Sequence, residues 1–403
     1  MKKILSLVLA TLMIIGCCAA FAGCGKSGDD GFKMGVILIG DENEGYTYSH
    51  IKGIREAAAT LGVSDDQIIW KYTVGEDEKC YDAAVDLVES GCNVIFSNSY
   101  GHQSHMQKAA GEYPDVQFVA CTGDTASNSG LDNFSNAFTF VYESRYVSGV
   151  VAGMKIKELV EAGKLSAANY DADGNVKIGY VGAYPYAEVI SGYTSFFLGV
   201  RSVVENATME VRYTNSWYDE TAEKTTAEAL IAAGCKLISQ HADSMGAPTA
   251  CETANIPNVA YNGATGKNTF VIASRIDWVP YFEYMLDCVL NGKDIDTDWT
   301  GDLVNGAVKI TALGEAAAEG TQAKLDEVAA KLKDGSLKVF DCSKFTVKGE
   351  HLTKYLADVD DMGDYIPETN VIKTENGVTF FDESAKRSAP YFDIRIDGIT
   401  EIS

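Results

Sequence analysis

The chain has 403 residues, a formal net charge of −24, and 46% hydrophobic and 22% charged residues. That acidity excludes nucleic acid as a partner, because phosphates demand basic patches, and excludes electrostatic adhesion to anionic lipid headgroups. The apolar and charged fractions are those of a soluble globular protein, and the length predicts two lobes rather than one core.

The first elements belong to an export signal. Lys2 and Lys3 form a basic start, and residues 4–15 are apolar except for Ser6 and Thr11. Small residues then lead to Phe21-Ala22-Gly23-Cys24. A short basic start, a brief apolar core and small residues before a cut form the secretory pattern, and the core is too short to span a bilayer. The segment resembles the lipobox of bacterial lipoproteins, with residues 1–23 as signal peptide and Cys24 as the lipid-accepting cysteine. Ile14-Ile15-Gly16-Cys17 is a rival lipobox. Cys24 is preferred because residues 24–31 read as a flexible polar tether. Acylation there implies anchoring at the extracytoplasmic face of the cell membrane rather than spanning. No later apolar run approaches the ~18 residues a transmembrane helix needs.

From residue 32 short β-branched runs alternate with amphipathic stretches. The pattern predicts strands over 34–39, 68–72, 93–98 and 117–120, with helices over 49–61, 79–90, 105–112 and 143–162. Ser148, Gly149 and Gly153 mark a close-packing face on the last of these. The rhythm restarts with strands over 177–181, 209–213 and 237–240 and helices over 188–205 and 220–233. Helices over 281–290 and 311–333 follow, then a tail with short strands at 371–373, 378–381 and 394–396. Two tandem βα series predict an α/β protein of two doubly wound parallel sheets with a ligand cleft between them. Residues 32–143 with about 270–310 are assigned to the first lobe and 144–269 to the second. Residues 311–403 are assigned to a crossover helix and an extension packing on the lobes.

The ten cysteines include Cys17 and Cys18 in the signal and Cys24 at its end. The other seven (Cys80, Cys92, Cys121, Cys235, Cys251, Cys288 and Cys342) show no paired spacing and read as buried free thiols. Catalytic and cofactor motifs do not assemble. Gly263-Ala264-Thr265-Gly266-Lys267 lacks the first glycine and the magnesium-binding hydroxyl of a phosphate loop. Asp171-Ala172-Asp173-Gly174 reads as a turn rather than a calcium loop. His102 and His105 have no further metal ligand at the right spacing. No cofactor, metal or catalytic residue is therefore assigned, and the chain reads as a binding protein rather than an enzyme.

In parallel sheets the ligand sits outside the carboxyl ends of the strands. The strand-end loops here carry Tyr46, Tyr48, Tyr100, Asp124, Glu188, Trp217 and Asp243. Flat aromatic walls with carboxylate acceptors suit a flat heterocycle bearing N–H or O–H donors. Several segments resemble the basic-membrane-protein family of lipoproteins. They include Gly45-Tyr46-Thr47-Tyr48-Ser49-His50, Ile178-Gly179-Tyr180-Val181-Gly182, Gln240-His241-Ala242-Asp243-Ser244 and the stretch from Tyr142 through Arg145 to Gly153. Arg275-Ile276-Asp277-Trp278-Val279-Pro280 belongs with them. The resemblance implies a type I periplasmic-binding-protein bilobe that captures purine nucleosides or bases for an ABC importer, working as a monomer with a permease partner. It further implies that Tyr46 stacks on the base from the first lobe, with Phe196 as its second-lobe partner and Trp278 stacking or capping. Asp124, Glu188 and Asp243 are acceptors for base N–H or ribose hydroxyls under this reading, and Asp277 joins the candidate set. Core packing is the alternative for the aromatics, and helix capping for the carboxylates. The family's Gly-x-Asp-x-Asp segment and ribose-holding lysine do not match here, where Tyr261-Asn262-Gly263-Ala264-Thr265 and Arg275-Ile276-Asp277-Trp278 stand. That keeps a free purine base open beside a nucleoside. A sensing receptor of the same fold, or a receptor for another polar solute, is the competing reading.

Overall fold

The computed structural model of the chain describes residues 31–359 and 366–402. The expected signal peptide, Cys17, Cys24 and nearly all of the tether lie outside the described residues. The first βα series runs β1 (Met34–Ile37), α1 (Gly45–Leu61), β2 (Ile68–Lys71), α2 (Glu78–Glu89), β3 (Val94–Ser97), α3 (Gln103–Glu112), β4 (Gln117–Cys121), α4 (Ala126–Ser129) and β5 (Phe134–Thr139). The long α5 (Val141–Glu161) leads to β6 (Val176–Gly182), α6 (Ala187–Arg201), β7 (Ala207–Tyr213), α7 (Glu220–Ala232), β8 (Ile238–Gln240), α8 (Gly246–Ala254), β9 (Asn258–Tyr261) and β10 (Phe270–Ile276). Then come α9 (Val279–Leu290), β11 (Asp298–Gly301), β12 (Val308–Ile310) and α10 (Thr321–Lys333). Beyond α10 lie two small two-stranded pairings and a terminal strand, Ile399–Ile402.

One sheet has the order β11-β5-β4-β3-β1-β2 and is parallel throughout. The other has the order β12-β10-β9-β8-β6-β7 followed by the terminal strand, and only β12 runs antiparallel. In both sheets the strand order reverses beside the first strand of its series, between β1 and β3 and between β6 and β8. That reversal opens a crevice at the carboxyl edge. The central strands are covered on both faces, which explains why Met34–Ile37 and Val94–Ser97 are buried at every position.

Three features differ from the sequence expectation. β10 and β12 lie in the second sheet, so residues 270–310 are divided: only α9 and β11 stay with the first lobe. The chain crosses between lobes after β5, after β10 and after β11. At these crossings Phe140 N–H donates to Gly301 O and Asp277 N–H to Ala307 O, each at 2.7 Å. In the tail, Ile394 and Ile396 are buried without a ladder, while Ile399–Ile402 pairs with β7 after Gly398 turns the chain at φ 93°. The predicted helix over 311–333 forms only from Thr321. Gly320 at its N-cap is left-handed (φ 78°), and a Cβ on Gly314 would lie 2.1 Å from Phe270 O.

The close-packing face of α5 meets α6. A Cβ on Gly149 would stand 2.0 Å from Phe196 O, and one on Gly199 of α6 would stand 2.2 Å from Tyr146 O. Two glycines, one per helix, thus let the backbones touch. The tail adds Phe340, Phe381, Tyr391 and Phe392 to the second lobe's apolar cluster. The seven described cysteines are all buried and free. Asp171 Oδ1 accepts from the Asp173 and Asn175 N–H groups, the geometry of a turn.

Candidate ligand-binding site

Between the lobes lies a cavity walled by the strand-end loops of both sheets. The first lobe contributes Ile39 and Glu44 after β1, Tyr46 in the first turn of α1, Asn98, Ser99 and Tyr100 after β3, and Thr122 after β4. The second contributes Glu188 in the first turn of α6, Trp217 after β7, His241 and Asp243 after β8, and Tyr261 at the end of β9. α1 begins at Gly45, four residues before the expected start, and that extra turn carries Tyr46 to the cavity.

Tyr46 is held on two sides. Its hydroxyl donates to Asn98 O at 2.8 Å, and its ring meets His50 edge-on at 4.6 Å. His50 is stacked on Trp278 at 4.4 Å, and its Nδ1 faces Tyr46 O at 3.0 Å. Burial pushes the His50 pKa down to about 3, so this ring is neutral and Nδ1–H is the donor.

Three carboxyl groups face the cavity. Glu44, 5% exposed, accepts from Thr47 Oγ1 at 2.5 Å, and burial raises its pKa, assisted by Asp41. Burial pushes Glu188 up to about 7, with the charge of Arg145 opposing. Asp243 is raised well above the usual range by burial and then by Glu44, Glu223 and Glu188. Its Oδ1 is buried without a hydrogen-bond partner. Among the described residues the cation acting on Glu188 and Asp243 is Arg145, fully buried in α5. Its guanidinium lies 3.9 Å from the centre of the Tyr261 ring, and Nη1 donates to Gln240 O at 2.5 Å. Arg145 Nε and Nη2 have no partner. His241 Nε2 lies 3.4 Å from Glu188 Oε1, but burial and Arg145 push the imidazole pKa down, so the two form a neutral hydrogen bond rather than an ion pair. The cavity is therefore bordered by carboxyl groups, among which Asp243 Oδ1 is unpaired, with unpaired N–H groups of Arg145 close behind them. A solute offering N–H or O–H groups would satisfy Asp243 Oδ1 and the Tyr261 hydroxyl oxygen, which have no hydrogen-bond partner among the described residues.

The structure brings together Tyr46, Tyr100, Glu188, Trp217 and Asp243, and leaves the other candidates elsewhere. Tyr48 is 50% exposed on the far side of α1. Phe196 is fully buried in the second lobe's core against Tyr180, so it is no stacking partner for a ligand in this cavity. Trp278 is likewise fully buried, behind His50 and α1. Asp277 sits at an interlobe crossing, bonded to Lys309 Nζ at 2.5 Å and Arg275 Nη2 at 3.3 Å. Asp124 lies outside the cavity, where it accepts from Gln103 and Tyr100. The residues not singled out from sequence are Glu44, Asn98, Ser99, Thr122, His241, Tyr261 and Arg145. All but Tyr261 and Arg145 stand in strand-end loops, and that position was the available signal. Arg145 had another, a charge within an otherwise apolar helical face.

Among the described residues no helix is long and apolar enough to cross a membrane. A family model described as ABC transporter substrate-binding protein, PnrA-like (Bmp), matches residues 35–340. A purine-binding protein of Brucella abortus is 28% identical over 336 residues, covering 81% of this chain and 89% of that protein. A Haloferax volcanii protein provisionally named an ABC transporter glucose-binding protein is 32% identical over 213 residues, 52% of this chain and 49% of that protein. Among solved structures, a solute-binding protein of an ABC transporter system from Aeropyrum pernix K1 superposes with a TM-score of 0.63 at 15% identity, covering 77% of this chain and 93% of that one. The fold is that of the type I periplasmic solute-binding proteins.

Proposed function

This chain belongs to the family of PnrA-like ABC transporter substrate-binding proteins, which are extracytoplasmic binding proteins rather than enzymes, and on that premise we propose that it captures a purine base or nucleoside for an ABC permease. The observation that carries the purine assignment is the meeting of carboxyl groups and aromatic rings in one cavity. Glu44, Glu188 and Asp243 converge on one cavity beside Tyr46, Trp217 and Tyr261. Purines are flat, stack on aromatic faces, and carry N–H donors at their edge. The purine-binding relative, alignable over most of both chains, supports the same reading. Ligand contacts from both lobes would bias the closed arrangement, the form that docks on the permease.

The test is calorimetry with purified protein against purine bases, purine nucleosides, sugars and amino acids. A purine is expected to bind in the micromolar range, and mass spectrometry is expected to find one co-purifying with the protein. Binding of a sugar or amino acid with no response to any purine would overturn the assignment. A sugar is the second reading, because its hydroxyls also satisfy carboxylates and the partial match to a provisionally named glucose-binding protein favours it.

The anchor belongs to the same proposal. With no membrane-crossing helix among its described residues, the receptor needs a tether beside its permease, and acylated Cys24 would supply it. Cys24→Ala is expected to release the protein from membranes, whereas Cys17→Ala leaves it bound. The opposite pattern in a fractionation experiment assigns the anchor to Cys17.

A further inference from the structure

The family match ends at residue 340, yet the chain beyond it reaches the rim of the cavity. This extension is rooted on the second lobe. Its terminal strand pairs with β7, and Glu401 accepts from the Tyr193 and Tyr213 hydroxyls at 2.7 Å each. Phe392 is fully buried and stacked on Phe340 at 4.4 Å. From that root the chain reaches the first lobe. Ser388 N–H donates to Asp298 Oδ1 on β11 at 2.7 Å. Arg387 Nη1 lies 3.5 Å from Asp124 Oδ2, with the two side chains only 18% and 17% exposed.

Arg387 is itself braced by the extension, donating from Nε to Ala389 O at 3.3 Å and from Nη2 to Pro390 O at 3.4 Å. Asp124 in turn accepts from Gln103 Nε2 at 3.0 Å and from Tyr100 OH at 3.3 Å. Tyr100 lines the cavity and faces Tyr186 of the second lobe, ring centres 6.0 Å apart. A continuous polar path therefore runs from the extension through Asp124 to the cavity wall.

We propose that Arg387 is a positioning residue for ligand capture: the C-terminal extension carries it across the cleft to Asp124, latching the lobes together and holding Tyr100 at the cavity. The proposal rests on the cavity being the ligand site, and not on which ligand fills it. The pair joins a residue rooted on one lobe to a residue of the other, so opening the cleft breaks it. An interaction made only in the closed arrangement adds to the bias that a ligand supplies. Partial shielding from water makes this pair more effective than an exposed one.

The test uses the full chain and two readouts. Small-angle scattering of the ligand-free protein is expected to give a larger radius of gyration for Arg387→Ala than for the unaltered chain. Stopped-flow dissociation of adenine or guanosine is expected to be about tenfold faster in Arg387→Ala, partly restored in Arg387→Lys, and no faster still when Asp124→Asn is added. An unchanged radius overturns the latch whatever the ligand is, and so does an additive double variant. Failure of both purines to bind while the radius still grows overturns the purine assignment and leaves the latch standing. A large fall in the melting temperature of ligand-free Arg387→Ala, with unchanged dissociation from Arg387→Lys and Asp124→Asn, assigns Arg387 to folding instead and overturns the proposal.

Discussion

Glu188 is the residue whose chemistry is most exposed to test. Burial places its pKa at about 7, and Arg145 is the charge that opposes burial. A bound N–H donor favours the ionised carboxylate, so binding lowers that pKa and releases a proton near neutrality. Affinity for a donor-bearing ligand is therefore expected to rise from about pH 6 to about pH 8 and then level off. Calorimetry in buffers of different ionisation enthalpy reads both the affinity and the released proton. Glu188→Gln keeps the shape but not the charge. It is expected to cost ~1.5–3 kcal/mol of binding, roughly 10- to 150-fold in Kd, and to flatten the pH profile. At Tyr46 the ring matters more than the hydroxyl, so Tyr46→Ala is expected to lose ~1–3 kcal/mol of purine affinity while Tyr46→Phe keeps most of it. Tyr46, Tyr100, Glu188, Trp217 and Asp243 were legible because they follow predicted strands, where parallel sheets open. Phe196 and Trp278 misled because an aromatic at a helix has a face that sequence alone does not orient. Tyr48 misled for a related reason: two residues along a helix is about 200° around it, which turns Tyr48 to solvent when Tyr46 faces the cavity.

At the scale of elements, α5 and α6 meet in a tight joint in the second lobe. Gly149→Ala would drive a methyl into Phe196 O, 2.0 Å from the ideal Cβ position, with backbone rather than a flexible side chain in the way. It is expected to destabilise the protein by at least ~1–3 kcal/mol, read as a lowered urea midpoint. Gly111→Ala in α3 meets nothing within 4 Å and is expected to stabilise by ~0.5–1 kcal/mol, because glycine has the greater freedom to lose. The small-residue face of α5 was visible in its sequence, but its reciprocal partner Gly199 was not, since nothing local to α6 announces which helix it will meet. The terminal strand was missed in the same way. In Ile399–Ile402 the two end residues are half-buried and the two between them exposed, a weak pattern that becomes a strand only because the edge of β7 is there to pair with it.

For the whole molecule, the buried acids make stability depend on pH in a definite window. Burial raises Glu143, Glu188 and Glu223 to about 7 and Glu383 to about 8. Each contributes stability that is fully present below its unfolded pKa of roughly 4.5 and lost as pH rises through the folded value. Buried His50, His102 and His241 have lowered pKa values and act in the opposite direction, but only below about pH 6.5. Between about pH 6.5 and 8 the acids act without that opposition, so the urea midpoint is expected to fall across this interval, and Glu383→Gln is expected to reduce the slope. Local sequence determined the βα rhythm, the two parallel sheets and the loops that meet at the cleft, because strand and helix periodicities report burial directly. Tertiary structure decided which sheet received β10 and β12, which aromatics faced the cavity, and that Asp124 met Arg387 rather than the ligand. Those outcomes depend on pairings between segments far apart in the chain, and a periodic pattern says that a face is buried without saying against what.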